Sequence, residues 1–222
     1  MFSTQTRRTI MATAGAAIAL ASPMAMAHLG ADGAPHIHDD QILGSLIDGA
    51  LHPLTGLDHL AAMVSVGAWS ALSLAPAGRK PDIKTIARAP AAFAGTLLVG
   101  ALAGLAGITL PGVEPMIAAS LLVLGLLLAT RLQLGQSAGS ALVAMFALFH
   151  GLAHGAELGG HAAAALTGMV ASTALLHGIG MAAGLVLRDE GHRSKRWASR
   201  LAGGAVTMLG LSMLTPAIAA AI

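Results

Sequence analysis

The sequence predicts an all-α protein, a polytopic bundle of transmembrane helices with six spans after removal of an N-terminal signal peptide. Three observations carry this. The 222 residues are 55% hydrophobic and only 10% charged, whereas soluble globular proteins carry about 25% charged residues; the mean hydropathy is +0.76. The apolar residues gather into segments of roughly the 20 residues that cross a bilayer as a helix. Beyond the leader, the Lys and Arg residues occupy alternate connections between those segments.

Taken in order, residues 1–27 read as a secretory signal peptide. Arg7 and Arg8 precede a short apolar stretch over 10–20, and Ala25-Met26-Ala27 is a small-residue cleavage site. An uncleaved first helix is the other reading of this segment. Cleavage leaves His28 first in a polar tail, 28–41, that holds Asp32, His36, His38, Asp39 and Asp40 among Gly and Pro. From there 42–222 reads as the six-helix domain. A short amphipathic lead-in over 42–51 is followed by spans at 53–75, 91–110, 115–131, 138–157, 162–187 and 200–221. Pro53 is placed at the start of the first span, where its missing N–H is tolerated. Lipid offers the backbone no hydrogen bonds, so spanning segments satisfy their own as helices. Frequent Gly and Ala (Gly95, Gly100, Gly104 and Gly107; Gly151, Gly155 and Gly159) give small-xxx-small patterns that suit close helix packing.

Removing Arg7 and Arg8 with the leader leaves ten basic against ten acidic residues, so the pI of about 9.7 partly reflects the leader. Arg79, Lys80, Lys84 and Arg88 lie in the first connection, Arg131 in the third, and Arg188, Arg193, Lys195, Arg196 and Arg200 in the fifth. The second and fourth have none. The positive-inside rule then puts the first, third and fifth connections in the cytoplasm and both mature termini outside it, in agreement with the signal peptide. With 4 Phe, 2 Trp and no Tyr, there is no basic patch interleaved with aromatics, and no nucleic-acid partner is expected. The absence of Cys excludes disulfides, thiolate metal sites and cysteine nucleophiles.

Ionisable side chains inside spanning segments are costly, and so raise a functional hypothesis. Two clusters are at issue: His52-Pro53-Leu54-Thr55-Gly56-Leu57-Asp58-His59 and His150-Gly151-Leu152-Ala153-His154-Gly155-Ala156-Glu157. In the predicted topology both lie at the outward face, on the first and fourth spans. His52 and His59 are seven apart, two turns on one helical face. His150 and His154 are an i,i+4 pair, with Glu157 on the same stripe. Imidazole and carboxylate together make the ligand set of a divalent transition metal. His52, Asp58, His59, His150, His154 and Glu157 are therefore the candidate metal ligands, with Asp58 and Glu157 either ligands or groups that orient the imidazoles. Further candidates are His28, His36 and His38 in the tail, Glu114 at the start of span three, and His177 with Met181 in span five, as a deeper station. Against these stand plainer roles: a solvated tail, a favourable helix-dipole position for Glu114, and an interhelical hydrogen bond for His177.

The motifs His52-Pro53-x-x-Gly56-x-Asp58-His59, followed by Leu60-Ala61-Ala62-Met63, and Phe149-His150-Gly151-x-Ala153-His154-Gly155-x-Glu157 resemble those of the HupE/UreJ family of nickel/cobalt permeases. Leu110-Pro111-Gly112-Val113-Glu114 and the exposed His28 support the likeness. The resemblance implies six spans, a multi-pass protein of the inner (cytoplasmic) membrane, and Ni²⁺ or Co²⁺ as transported substrate, with no permanently bound cofactor. It also implies downstream maturation factors of hydrogenase or urease. Other nickel permeases have four residues between the first His and the Asp-His pair where this chain has five, so their ligand assignments do not carry over one to one.

Gly-x-x-x-x-Gly-Lys-Ser/Thr is absent, which excludes an ATPase of that type. Secondary or facilitated uptake is the reading expected, by a protein that is not an enzyme. Metal ligands bind deprotonated, so affinity is expected to fall as the imidazoles protonate. Two alternatives stay open: an intramembrane metal-dependent enzyme, although His-Glu-x-x-His and Gly-x-Ser-x-Gly are both missing, and a membrane metal-binding accessory protein without flux.

Overall fold

The first helix begins well before the first stretch of continuous apolar sequence and breaks in the middle of the first histidine motif. The structure, a computed structural model, describes residues 42–73, 82–158, 160–188 and 193–221. The expected signal peptide and tail, with His28, His36 and His38, lie outside the described residues. Among those described, the order is α1 (Ile42–Thr55), α2 (Leu57–Ser73), α3 (Ile83–Leu105), α4 (Val113–Thr130), α5 (Gln136–Glu157), α6 (Ala162–Leu187) and α7 (Arg193–Ala221). The described residues are all-helical, as expected. The helices α3, α4, α5 and α6 are each long and apolar enough to cross a membrane, which marks a membrane protein.

Four boundaries correct the sequence reading. The expected first span, 53–75, is two helices, α1 and α2, and Pro53 sits in the last turn of α1 rather than at a helix start. Proline has no N–H to give the carbonyl four residues back, so the turn at Gly49 loses a bond and the helix ends within three residues. Thr55 Oγ1 donates to His52 O (2.9 Å) and the Gly56 carbonyl accepts Leu60 N (3.0 Å), closing one helix and opening the next. The second span starts at Ile83, not 91. Asp82 caps it, accepting from Lys84 N (3.2 Å) and Thr85 Oγ1 (3.1 Å). Apolar content marks the part of a helix suited to lipid, whereas the cap marks where the helix begins. The same span ends at Leu105, not 110, because Gly107 takes a left-handed φ of 81°. The last helix, α7, likewise begins among the cations at Arg193, ahead of the apolar run from 200.

Glycines determine which helices pair. A Cβ on Gly151 or Gly155 would strike the carbonyl of Leu97 or Ala101, and one on Gly100 or Gly104 the carbonyl of Leu148 or Leu152, so α3 and α5 lie backbone to backbone. Gly49 and Gly67 meet α6 in the same way, and Gly168 and Gly180 of α6 reciprocate against α1 and α2. Gly125 of α4 and Gly203 and Gly210 of α7 join the third pair. Gly95, in contrast, has nothing within 4 Å of its missing Cβ. Close backbone approach over small residues replaces the hydrophobic drive that lipid does not supply. Fully buried Met63, Trp69, Phe93, Leu97, Leu121 and Leu124 fill the centre between the pairs.

Polar staples gather at one end of the bundle. Arg131, in the left-handed region at φ 55°, donates to Ser199 Oγ (2.9 Å), Leu187 O (3.0 Å) and Lys195 O (2.9 Å). Arg88 donates to Gln136 Oε1 (2.6 Å), and Gln136 Nε2 to Thr85 O (2.9 Å). Trp69 Nε1 reaches Leu132 O (3.0 Å). The histidine motifs occupy the other end.

Candidate metal centre

The break at Gly56 shapes the site. His52 ends α1 and His59 begins α2, so they are not two turns of one continuous helix, yet their ring centroids lie 6.1 Å apart. Gly56 is required here: a Cβ would come within 2.7 Å of His59 Nδ1 and 2.8 Å of Asp58 Oδ1. The last two turns of α5 bring His150 and His154 against this elbow. The His154 ring is central, 4.7 Å from His52 and 4.3 Å from His59, and His150 lies 5.4 Å from His59. Both motifs therefore meet across one interface, as their shared end of the bundle predicted.

Burial grades the cluster. The side chains of His52 and Glu157 are 38% and 32% exposed, with Nε2 3.6 Å from Oε2. His59, His150 and His154 are buried, and so is Asp58. The Asp58 carboxylate accepts from His59 Nδ1 at 2.8 Å, and the Phe146 carbonyl accepts from His150 Nδ1 at 3.0 Å. With Nδ1 donating, the neutral imidazole carries its lone pair on Nε2. The hydrogen bonds thus select the tautomer a metal ligand needs.

His52, His154 and Glu157 each offer a ligand atom, all within 4.8 Å of one another. Two ligands bound to one ion at 2.0–2.1 Å stand at most ~4.2 Å apart, so side-chain rotations moving atoms by less than about 1 Å close the set. These residues line a cleft of about 80 Å³ together with Ser45, Asp48, Gly49 and Met169, room for an ion that keeps one or two of its waters at ~30 Å³ each.

Asp48 is a lining residue that the sequence reading passed over. It stands one helical turn before His52, and that i,i+4 spacing was its available signal. The short amphipathic lead-in over 42–51 stands outside both histidine motifs, which hid it. Of the secondary candidates, Glu114 is exposed in the first turn of α4. His177 is buried in the middle of α6 with its ring 5.2 Å from Phe93. Met181 packs against Ala71 and Ile86.

The fold and cluster define a class, a helical membrane protein with a histidine and carboxylate centre at one end of its bundle. The family model described as HupE / UreJ protein matches residues 16–213. Protein HupE of Rhizobium leguminosarum bv. viciae is 36% identical over 201 residues, which cover 90% of this chain and 94% of that protein. The chain belongs to the HupE/UreJ family. No solved structure matches it.

Proposed function

We propose that this protein takes up Ni²⁺ or Co²⁺ across the cytoplasmic membrane by secondary or facilitated transport. The observation that carries the reading is the graded cluster: His52 and Glu157 at the mouth of the cleft, His154 at its centre, and His59 and His150 buried behind it. A catalytic centre needs a place for substrate beside the metal. A file of imidazoles leading from an accessible mouth into the bundle is suited instead to stepwise ligand exchange. Membership of a family associated with nickel and cobalt uptake points the same way.

In this reading a hydrated ion sheds water to His52, His154 and Glu157, and His59 and His150 then take over as ligands. Asp58 fixes the His59 tautomer and offsets charge as the cation arrives. Asp48 adds negative charge at the mouth. The mature protein has six spans, with α1 and α2 forming a broken first one, and both its termini and the histidine end face away from the cytoplasm. The tail, through His28, His36 and His38, raises the local metal concentration, and Glu114 adds charge near the same face. His177 and Met181 belong to the path further in. Two charges moving inward gain roughly 4.6 kcal/mol per 100 mV of membrane potential, enough to drive uptake without a nucleotide. The delivered metal passes to hydrogenase or urease maturation factors.

The test is influx of radiolabelled Ni²⁺ into proteoliposomes, with Co²⁺, Zn²⁺ and Cu²⁺ as competitors. Wild type should accumulate metal when the interior is negative, and His154→Ala should lose at least ~10-fold in rate, as removal of a central ligand implies. Binding without influx by the wild type would instead fit an accessory role, and metal-dependent hydrolysis an enzyme.

A further inference from the structure

Behind the four histidines the file of rings continues through an aromatic residue that no ligand chemistry explains. The His150 ring lies 5.8 Å from Phe93, and Phe93 lies 5.2 Å, edge to face, from His177. Phe93 is fully buried, and His177 is 2% exposed with an Nε2 that has no hydrogen-bond partner among the described residues. The phenyl ring therefore lies against both histidines, the last of the outer cluster on one side and the buried His177 on the other.

Its helix has a hinge in reach. Pro90, less than one turn from Phe93, lies inside α3 and cannot bond the carbonyl of Ile86, four residues back. That carbonyl instead accepts the Ser70 hydroxyl of α2 at 2.7 Å. A helix whose ladder is interrupted at proline, with the freed carbonyl held by a neighbouring helix, bends more easily there than an intact one.

We propose that Phe93 is the internal gate of the metal path, a ring that closes the route from His150 to His177 and opens by swinging about the Pro90 break. A phenyl group offers a divalent ion no lone pair, and in a dry passage it repels the ion's remaining waters, so the closed ring holds the metal in the outer cluster. The gate rests on the transport reading, and the experiment separates the two.

Wild type, Phe93→Leu and Phe93→Trp are reconstituted as full chains. Ni²⁺ binding is measured by equilibrium dialysis in detergent, and radiolabelled Ni²⁺ influx in vesicles without an imposed potential. Both variants should bind Ni²⁺ within about twofold of wild type, because neither alters a ligand, while the smaller ring substitute raises the influx rate ~3-fold or more and the larger lowers it ~10-fold. Phe93→Trp keeps the test decisive if the smaller side chain leaves the core too loose to purify. Equal influx through all three, or a fall in both variants that merely follows lost binding, overturns the gate and leaves transport standing. No influx through the wild type overturns both.

Discussion

Asp58 and His59 are adjacent in sequence, and in most helices i,i+1 side chains diverge. Here the first turn of α2 follows a glycine with no Cβ to obstruct it, and the carboxylate folds onto its neighbour's Nδ1 at 2.8 Å. Asp58 is 4% exposed and His59 1%, so the pair is out of bulk water, where a charge-assisted hydrogen bond is stronger and its loss costs more. Asp58→Asn keeps the shape and removes the charge. It is expected to weaken Ni²⁺ binding by ~10–100-fold, the usual cost of losing a carboxylate behind a metal-ligating histidine, with isothermal titration calorimetry of detergent-solubilised protein as the check. Asp48→Asn, in contrast, alters a mouth residue that is exposed and should cost less than ~10-fold, its effect shrinking as salt screens the surface charge. If both substitutions gave the same loss, Asp58 would have no special hold on His59.

At the scale of helices, packing depends on which glycines face a partner. Gly151 and Gly155 lie against the α3 backbone, whereas Gly95 on α3 itself is exposed and meets nothing. Two substitutions of the same kind should therefore have opposite signs. Gly151→Ala forces α3 and α5 apart and should cost about 1–3 kcal/mol, while Gly95→Ala should gain up to ~1 kcal/mol from helix propensity. Thermal unfolding in a single detergent would read both as shifts of Tm in opposite directions. The sequence alone could not separate these glycines, since small-xxx-small spacing gives a pattern but not the face that meets a neighbour. The limits of legibility elsewhere have similar causes. The end of α5 and the start of α6 were readable because Glu157 and His161 bound apolar runs. The start of α3 was not, because Lys84 and Arg88 looked like loop although Asp82 caps a helix there. The meeting of the two histidine motifs was legible from spacing and charge alternation. The elbow at Gly56 was not, because Pro53 suits either the first turn of a helix or its end, and only the contacts on α6 decide which.

Across the whole molecule the two ends differ in chemistry. One holds the histidine cluster with Asp48, Asp58 and Glu157; the other holds Arg88 and Arg131 in hydrogen-bonded staples that tie α3 to α5, and α4 to α6 and α7. Cations held at one end serve packing and, under the positive-inside rule, orientation together. In the proposed transport their separation also matters for cargo: a divalent cation approaching the histidine end would meet carboxylates, and no Lys or Arg among the described residues lines its cleft. The proposed orientation can be tested directly because the chain has no cysteine, so one introduced thiol is the only one. His161→Cys lies at an exposed position beside the cluster, and Gln133→Cys at an exposed position beside Arg131. A membrane-impermeant maleimide added to intact spheroplasts should label the first and not the second. After the membrane is opened it should label both, which shows that the second thiol is reactive. The reverse pattern would leave the helix packing untouched but turn the histidine end toward the cytoplasm, and the proposed order of ligand exchange, from the histidine mouth inward, would then be overturned for uptake.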